Sequence, residues 1–154
     1  MAKFINIVLL IVWLVIIFIF SCENGENSKS TSISVTDSGV NIANKITGNK
    51  ISSLFEKKLT KDYLGIIRKS AHFIEYFILG IICFLLFRQY GFTDSKCILF
   101  SFLICFVYAC SDEIHQLFVP GRTSRVFDVF IDSLGSFTGI MFLQLVMKIK
   151  TILF

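Results

Sequence analysis

CSDEIHQLFVPGRTSRVFDVFIDSLG, residues 110–135, sets Asp112, Glu113, His115, Gln116, Arg122, Arg125, Asp128 and Asp132 around a single Pro-Gly pair. Pro120 fixes φ and Gly121 tolerates positive φ, so the pair reads as a tight turn. Apolar runs flank it on both sides, residues 97–119 before it and 126–147 after it. Helical rise is about 1.5 Å per residue, so each run is long enough to cross a hydrocarbon core. The stretch is therefore read as two membrane-spanning helices joined by a turn, with polar groups at the same end of both. Ionisable groups at membrane depth are costly unless paired or hydrated, which marks them as functional candidates.

The same pattern extends outward. Residues 70–87 form another apolar run, introduced by Lys69 and carrying His72 and Glu75 near its start; RQYGFTDSK, residues 88–96, links it to the next. Residues 4–20 carry no charge and form the first run. A cleaved leader is the competing reading there, since Lys3 precedes the run and Ile19-Phe20-Ser21-Cys22 faintly resembles a lipoprotein box. The run is longer than a usual signal core, so a retained helix is expected. Residues 21–69 form a connecting loop rich in Ser, Thr, Asn and Lys. Within it, Ile51, Leu54, Phe55, Leu59, Tyr63, Ile66 and Ile67 recur at helical spacing, with Lys50, Lys57, Lys58 and Lys61 toward another face. This predicts an amphipathic helix over about residues 50–67 in the membrane interface, a lysine-coated surface helix on the loop being the alternative. The expected architecture is all-α, an integral membrane four-helix bundle in one domain over residues 1–154, with that interfacial helix in its first loop.

Composition agrees. The chain has 154 residues, 55% of them hydrophobic and 17% charged, with 18 Phe, too apolar for a soluble domain of this size. The net charge of +4 sits mostly between the apolar runs, which points to a membrane surface and argues against a nucleic-acid partner. The five cysteines show no C-x-x-C spacing, so neither a disulfide framework nor a zinc knuckle is expected, and they read as small inert core residues. Trp13 and Tyr63 read as interface anchors and Gln144 as glue between helices.

Four spans of alternating direction bring His72 and Glu75, residues 112–116, and Asp128 with Asp132 to one membrane face. Angles agree with depth. At about 100° per residue, Lys69, His72 and Glu75 share one side of the second span. On the third span Ser101, Cys105, Tyr108, Asp112, His115 and Gln116 form a stripe, with Glu113 on its flank. Asp128, Asp132, Gly135 and Gly139 line up on the fourth, the glycines making a G-x-x-x-G that permits close helix approach. The candidates for acid–base chemistry are His72, Glu75, Asp112, Glu113 and His115. Those for binding are Lys69, Gln116, Arg122, Asp128 and Asp132, with Arg122, Arg125 and Lys69 suited to phosphate. Asp128 and Asp132 can instead salt-bridge Arg122 and Lys69 as a structural lock. His72, Glu75, His115 and Asp112 or Asp128 are ligand types suited to zinc, but no H-E-x-x-H is present and no metal or other cofactor is assigned. Proton-coupled transport is weakened by the small number of spans.

RKSAHFIEYFILG (residues 68–80) and SDEIHQLFVPGRTSRVFDVFIDSLG (residues 111–135) resemble the VanZ-like family, and FIFSCENGENSKSTS (residues 18–32) is similar to its first junction. Cys22 departs from the serine expected there, and Arg125-Val126-Phe127 departs from the usual approach to Asp128. The resemblance implies a multi-pass protein of the cell membrane that reduces susceptibility to the lipoglycopeptide teicoplanin. The partner is then a membrane lipid or a lipid-linked envelope intermediate. A hydrolase or transferase acting on that intermediate, or a small transporter, is the alternative. The resemblance also implies both termini inside and the polar site at the outer face. Charge counting opposes this, with five Lys and Arg on the side of the termini and ten on the other. Long loops translocate largely regardless of charge, so the resemblance decides.

Overall fold

The computed structural model describes residues 2–23, 61–122 and 125–153, with single positions 30, 33, 34, 38 and 45 between the first two. Among the described residues there are four helices and no strand: α1 (Ala2–Ser21), α2 (Lys61–Gln89), α3 (Asp94–Gln116) and α4 (Val126–Leu153). All four are long and apolar enough to cross a membrane, so the all-α four-span architecture is as expected. The boundaries differ in an informative way. Residues 61–67, assigned above to an interfacial helix, are the first turns of α2; the rest of that helix lies outside the described residues. No proline interrupts residues 61–89, and a lone Gly65 lowers helix stability by only about 1 kcal/mol, so the helix runs through. α3 ends at Gln116, short of residue 119, because the residue before Pro120 is pushed out of helical geometry.

Turn chemistry fixes the antiparallel order. At the end of α2, Phe92 N–H donates to the Phe87 carbonyl (3.3 Å) and Gly91 N–H to that of Arg88 (3.0 Å). Gly91 has φ 81°, and the Phe87 and Phe92 rings meet edge to face at 5.5 Å. Together these form a Schellman stop with its apolar clasp. An Arg88–Asp94 ion pair spans the same turn. At the other end of α3, Arg122 N–H donates to Val119 C=O at 3.2 Å and Gly121 has φ 75°. That is the signature of a β-turn with glycine at its third position, as the Pro-Gly pair predicts.

The most extensive pairing is α2 with α4. A Cβ added to Gly135 would lie 2.5 Å from the Phe73 carbonyl oxygen, and one on Gly139 would run into the carbonyl of Phe77. Gly80 on α2 meets the Ser136 backbone in the same way. The two backbones therefore touch, and only glycine fits at those points. α1 lies against α2 and reaches α3 near its end. Trp13 Nε1 donates to the Glu75 carbonyl (2.9 Å) and the Tyr108 hydroxyl to the Leu14 carbonyl (2.7 Å). Trp13 is thus a tie between helices rather than an interface anchor. Ile17, Tyr76, Leu79, Cys83, Cys105 and Ala109 make one buried cluster. Cys83, Cys97 and Cys105 are the buried thiols expected, whereas Cys22 is exposed. The outer faces carry exposed large side chains such as Phe4, Leu99, Phe130 and Leu145, as lipid-facing helices do.

Candidate functional site

The end of α1, the start of α2, the end of α3 and the start of α4 lie together, and the polar side chains gather there. His72 on α2, Asp112 on α3 and Asp132 on α4 each offer a ligand atom, and these atoms lie within 4.8 Å of one another. His72 Nδ1 faces Asp132 Oδ1 at 3.9 Å and Glu75 Oε2, one turn along α2, at 3.8 Å. Gln116 Nε2 donates to Asp112 Oδ2 at 3.2 Å, one turn further along α3. Asp132 is fully buried, and Asp112 and Glu113 are each 5% exposed.

Asp132 is the exceptional member. Both of its carboxylate oxygens are buried without a hydrogen bond, and so is Nδ1 of His72. Asp112, Glu113, Asp128 and Glu75 all lie within electrostatic reach of Asp132. Burying an ionised carboxylate costs several kcal/mol unless a charge partner and hydrogen bonds compensate. In this cluster the neighbours mostly share its sign.

The cations of the site are largely committed elsewhere. Lys69 Nζ stands 3.8 Å from Asp128 Oδ1 and over the Phe127 ring. Arg122 donates from Nε to the Glu23 carbonyl (2.9 Å) and from Nη2 to that of Phe20 (2.7 Å). It satisfies carbonyls at the C-terminal end of α1, where a positive charge also complements the helix dipole. Its remaining nitrogen, Nη1, is buried without a hydrogen bond. Burial, followed by the nearby Arg68, holds the Arg122 pKa below its ordinary value; Asp112, Glu23 and Glu113 oppose that shift. The expected lock therefore forms only in part: Lys69 pairs with Asp128, but Arg122 grips backbone rather than Asp132.

Two expected positions exchange. Glu113, placed above on the flank of the α3 stripe, is buried and accepts the Arg125 backbone N–H at 3.0 Å. His115, placed on the stripe, turns toward α1: its Nε2 lies 3.3 Å from Cys22 Sγ, and its ring lies 4.9 Å from that of Phe18. The buried line on α3 runs through Ser101, Cys105, Ala109, Asp112 and Gln116. Residues 113 and 115 sit on its opposite shoulders, so the neighbour on each side decides which is covered. Sequence reasoning passed over Ser21 and Tyr76, whose hydroxyls are both buried without a hydrogen-bond partner. Arg68, within reach of both His72 and Arg122, was also missed. Tyr76 follows Glu75 directly and was the one with a signal, a hydroxyl beside a charged residue within an apolar run.

Fold and geometry define a polytopic helical membrane protein with a buried imidazole–carboxylate cluster at one end of its bundle. The chain belongs to the VanZ/LLP1 family, which it matches over residues 5–147, from the first helix into the last. Searches of curated proteins and of solved structures give no match.

Proposed function

We propose that the protein works at the outer face of the cell membrane. There the end of the bundle that holds His72, Asp112 and Asp132 takes the polar head of a lipid-linked envelope intermediate. In doing so it lowers susceptibility to glycopeptide antibiotics of the teicoplanin type. The observation that supports this is a groove between α3 and α4, lined by Phe102, Phe106, Val129, Phe130, Leu134 and Phe137, with a volume of about 620 Å³. Cys110, Val129 and Ser133 on its wall lie in the same helix turns as Asp112, Asp128 and Asp132, so the groove reaches the end of the bundle that holds the polar cluster. A hydrocarbon chain lying in the groove would carry its head group to that cluster, where the unpartnered Nη1 of Arg122 suits a phosphate oxygen. The outward orientation rests on the resemblance to the family, against the raw charge count.

The test is teicoplanin susceptibility of a glycopeptide-sensitive Gram-positive host expressing the chain, at matched membrane abundance. The wild type should raise the inhibitory concentration several-fold. His72→Ala should return it to the host value. Leu134→Trp, which fills the groove from a half-exposed position, should reduce the effect. A wild-type chain that leaves susceptibility unchanged would sink the reading.

A further inference from the structure

We propose that His72, Asp112 and Asp132 hold one divalent transition-metal ion, zinc by the nature of the donors, with Glu75 as the carboxylate beside it. The donor set is one imidazole nitrogen and two carboxylates, each from a different helix. Zinc takes such ligands at about 2.0–2.2 Å in a tetrahedron, which places neighbouring ligand atoms about 3.4 Å apart. His72 Nδ1 and Asp132 Oδ1 already stand 3.9 Å apart, and the whole set lies within 4.8 Å. Side-chain adjustments of about 1 Å would close it around an ion.

An acidic cluster alone would not justify this assignment. The second observation is that Asp132 is fully buried, both its oxygens lack a hydrogen bond, and His72 Nδ1 facing it lacks one too. Nearby cations do not fill the role: Lys69 pairs with Asp128, and Arg122 spends Nε and Nη2 on the carbonyls of Glu23 and Phe20. Support for the ligands is also in place. Gln116 holds Asp112 through Oδ2, the kind of outer contact that orients a ligating carboxylate. Glu75 Oε2, 3.8 Å from the same Nδ1, is positioned to complete the coordination or to take a proton from a bound water. Ligands from α2, α3 and α4 would make the ion a cross-link of three helices.

The assignment does not depend on the antibiotic reading, and its test reads metal content. The full chain, purified in detergent with a tag free of histidine, is stripped with a chelator, reloaded with zinc sulfate and freed of excess. Elemental mass spectrometry should then find one zinc per chain in the wild type. Asp94→Asn, which removes a carboxylate at the opposite end of the bundle, should match it. His72→Ala and Asp132→Asn should bind at least about tenfold more weakly, since even outer contacts of metal ligands carry that much. Equal zinc in wild type and His72→Ala, or none in the wild type, overturns the site. If the variants fail to accumulate, the wild-type melting temperature decides. It should rise with zinc and not with magnesium, and an unchanged value overturns the proposal. A wild type that binds no zinc yet protects against teicoplanin would end this inference and leave the proposed function standing.

Discussion

His72 and His115 look alike in the sequence, each within a few residues of acidic groups at the same end of the bundle, but their surroundings differ. His72 faces Glu75 and the buried Asp132, whereas His115 turns its Nε2 to the sulfur of Cys22 and its ring to Phe18. The surroundings of His72 therefore suit the ligand role proposed for it, and His115 lies at the junction of α1 with α3. His115→Gln should keep teicoplanin protection close to wild type at matched abundance, because an amide can hold a hydrogen bond to its neighbour. His72→Gln should lose protection, since an amide cannot replace imidazole as a base or metal ligand. Loss of protection in His115→Gln with His72→Gln intact would return the role to His115. The contrast could not be read from spacing. Both histidines follow helical periodicity, and which shoulder of α3 is covered depends on where α1 and the Pro-Gly turn lie.

At the scale of elements, the spans were legible because long runs of Phe, Ile, Leu and Val are interrupted by polar residues only at helical intervals. The start of α2 was not. An interfacial helix and the first turns of a span share the same period, and nothing in residues 61–71 marks a boundary. The G-x-x-x-G on α4 was legible as a close contact, but its partner was not: Phe73 and Phe77 offer their backbones, which leave no trace in side-chain pattern. The same holds for Arg122, whose acceptors are the carbonyls of Phe20 and Glu23. The contact makes a quantitative expectation. Gly139→Ala drives a methyl group into the Phe77 carbonyl, so the helices must separate, at a cost of about 1–3 kcal/mol or more. Gly65→Ala meets nothing within 4 Å and should be neutral or stabilise by up to about 1 kcal/mol. Unfolding in mixed detergent, followed by circular dichroism, compares the two. Equal stability in both variants would mean that α2 and α4 do not touch as described.

For the whole molecule, polar groups are unequally distributed between the two ends, and the resemblance to the family sets the expected orientation. One end of the bundle carries the cluster and the Pro-Gly turn; the other carries the Arg88–Asp94 turn and the chain's final lysines. With both termini inside, the cluster end faces outward. Single cysteines at Ser32 and at Ser124, with the native cysteines replaced, should then react with an impermeant maleimide on intact cells. Labelling that requires lysis would invert the molecule and vindicate the charge count. Composition could not settle this alone, because ten of the fifteen basic residues lie on the cluster side, many in the long loop that orientation rules weigh least.

The glycine contact also has a mechanical meaning. α2 and α4 are rods of 29 and 28 residues that touch backbone to backbone around Gly80, Gly135 and Gly139, some way in from either end. Rods joined so closely over about two turns cannot slide past one another there. The contact therefore holds His72, which adjoins Phe73, and Asp132, about one turn before Gly135, at a fixed spacing. Three missing side chains thus set the separation of two of the polar residues.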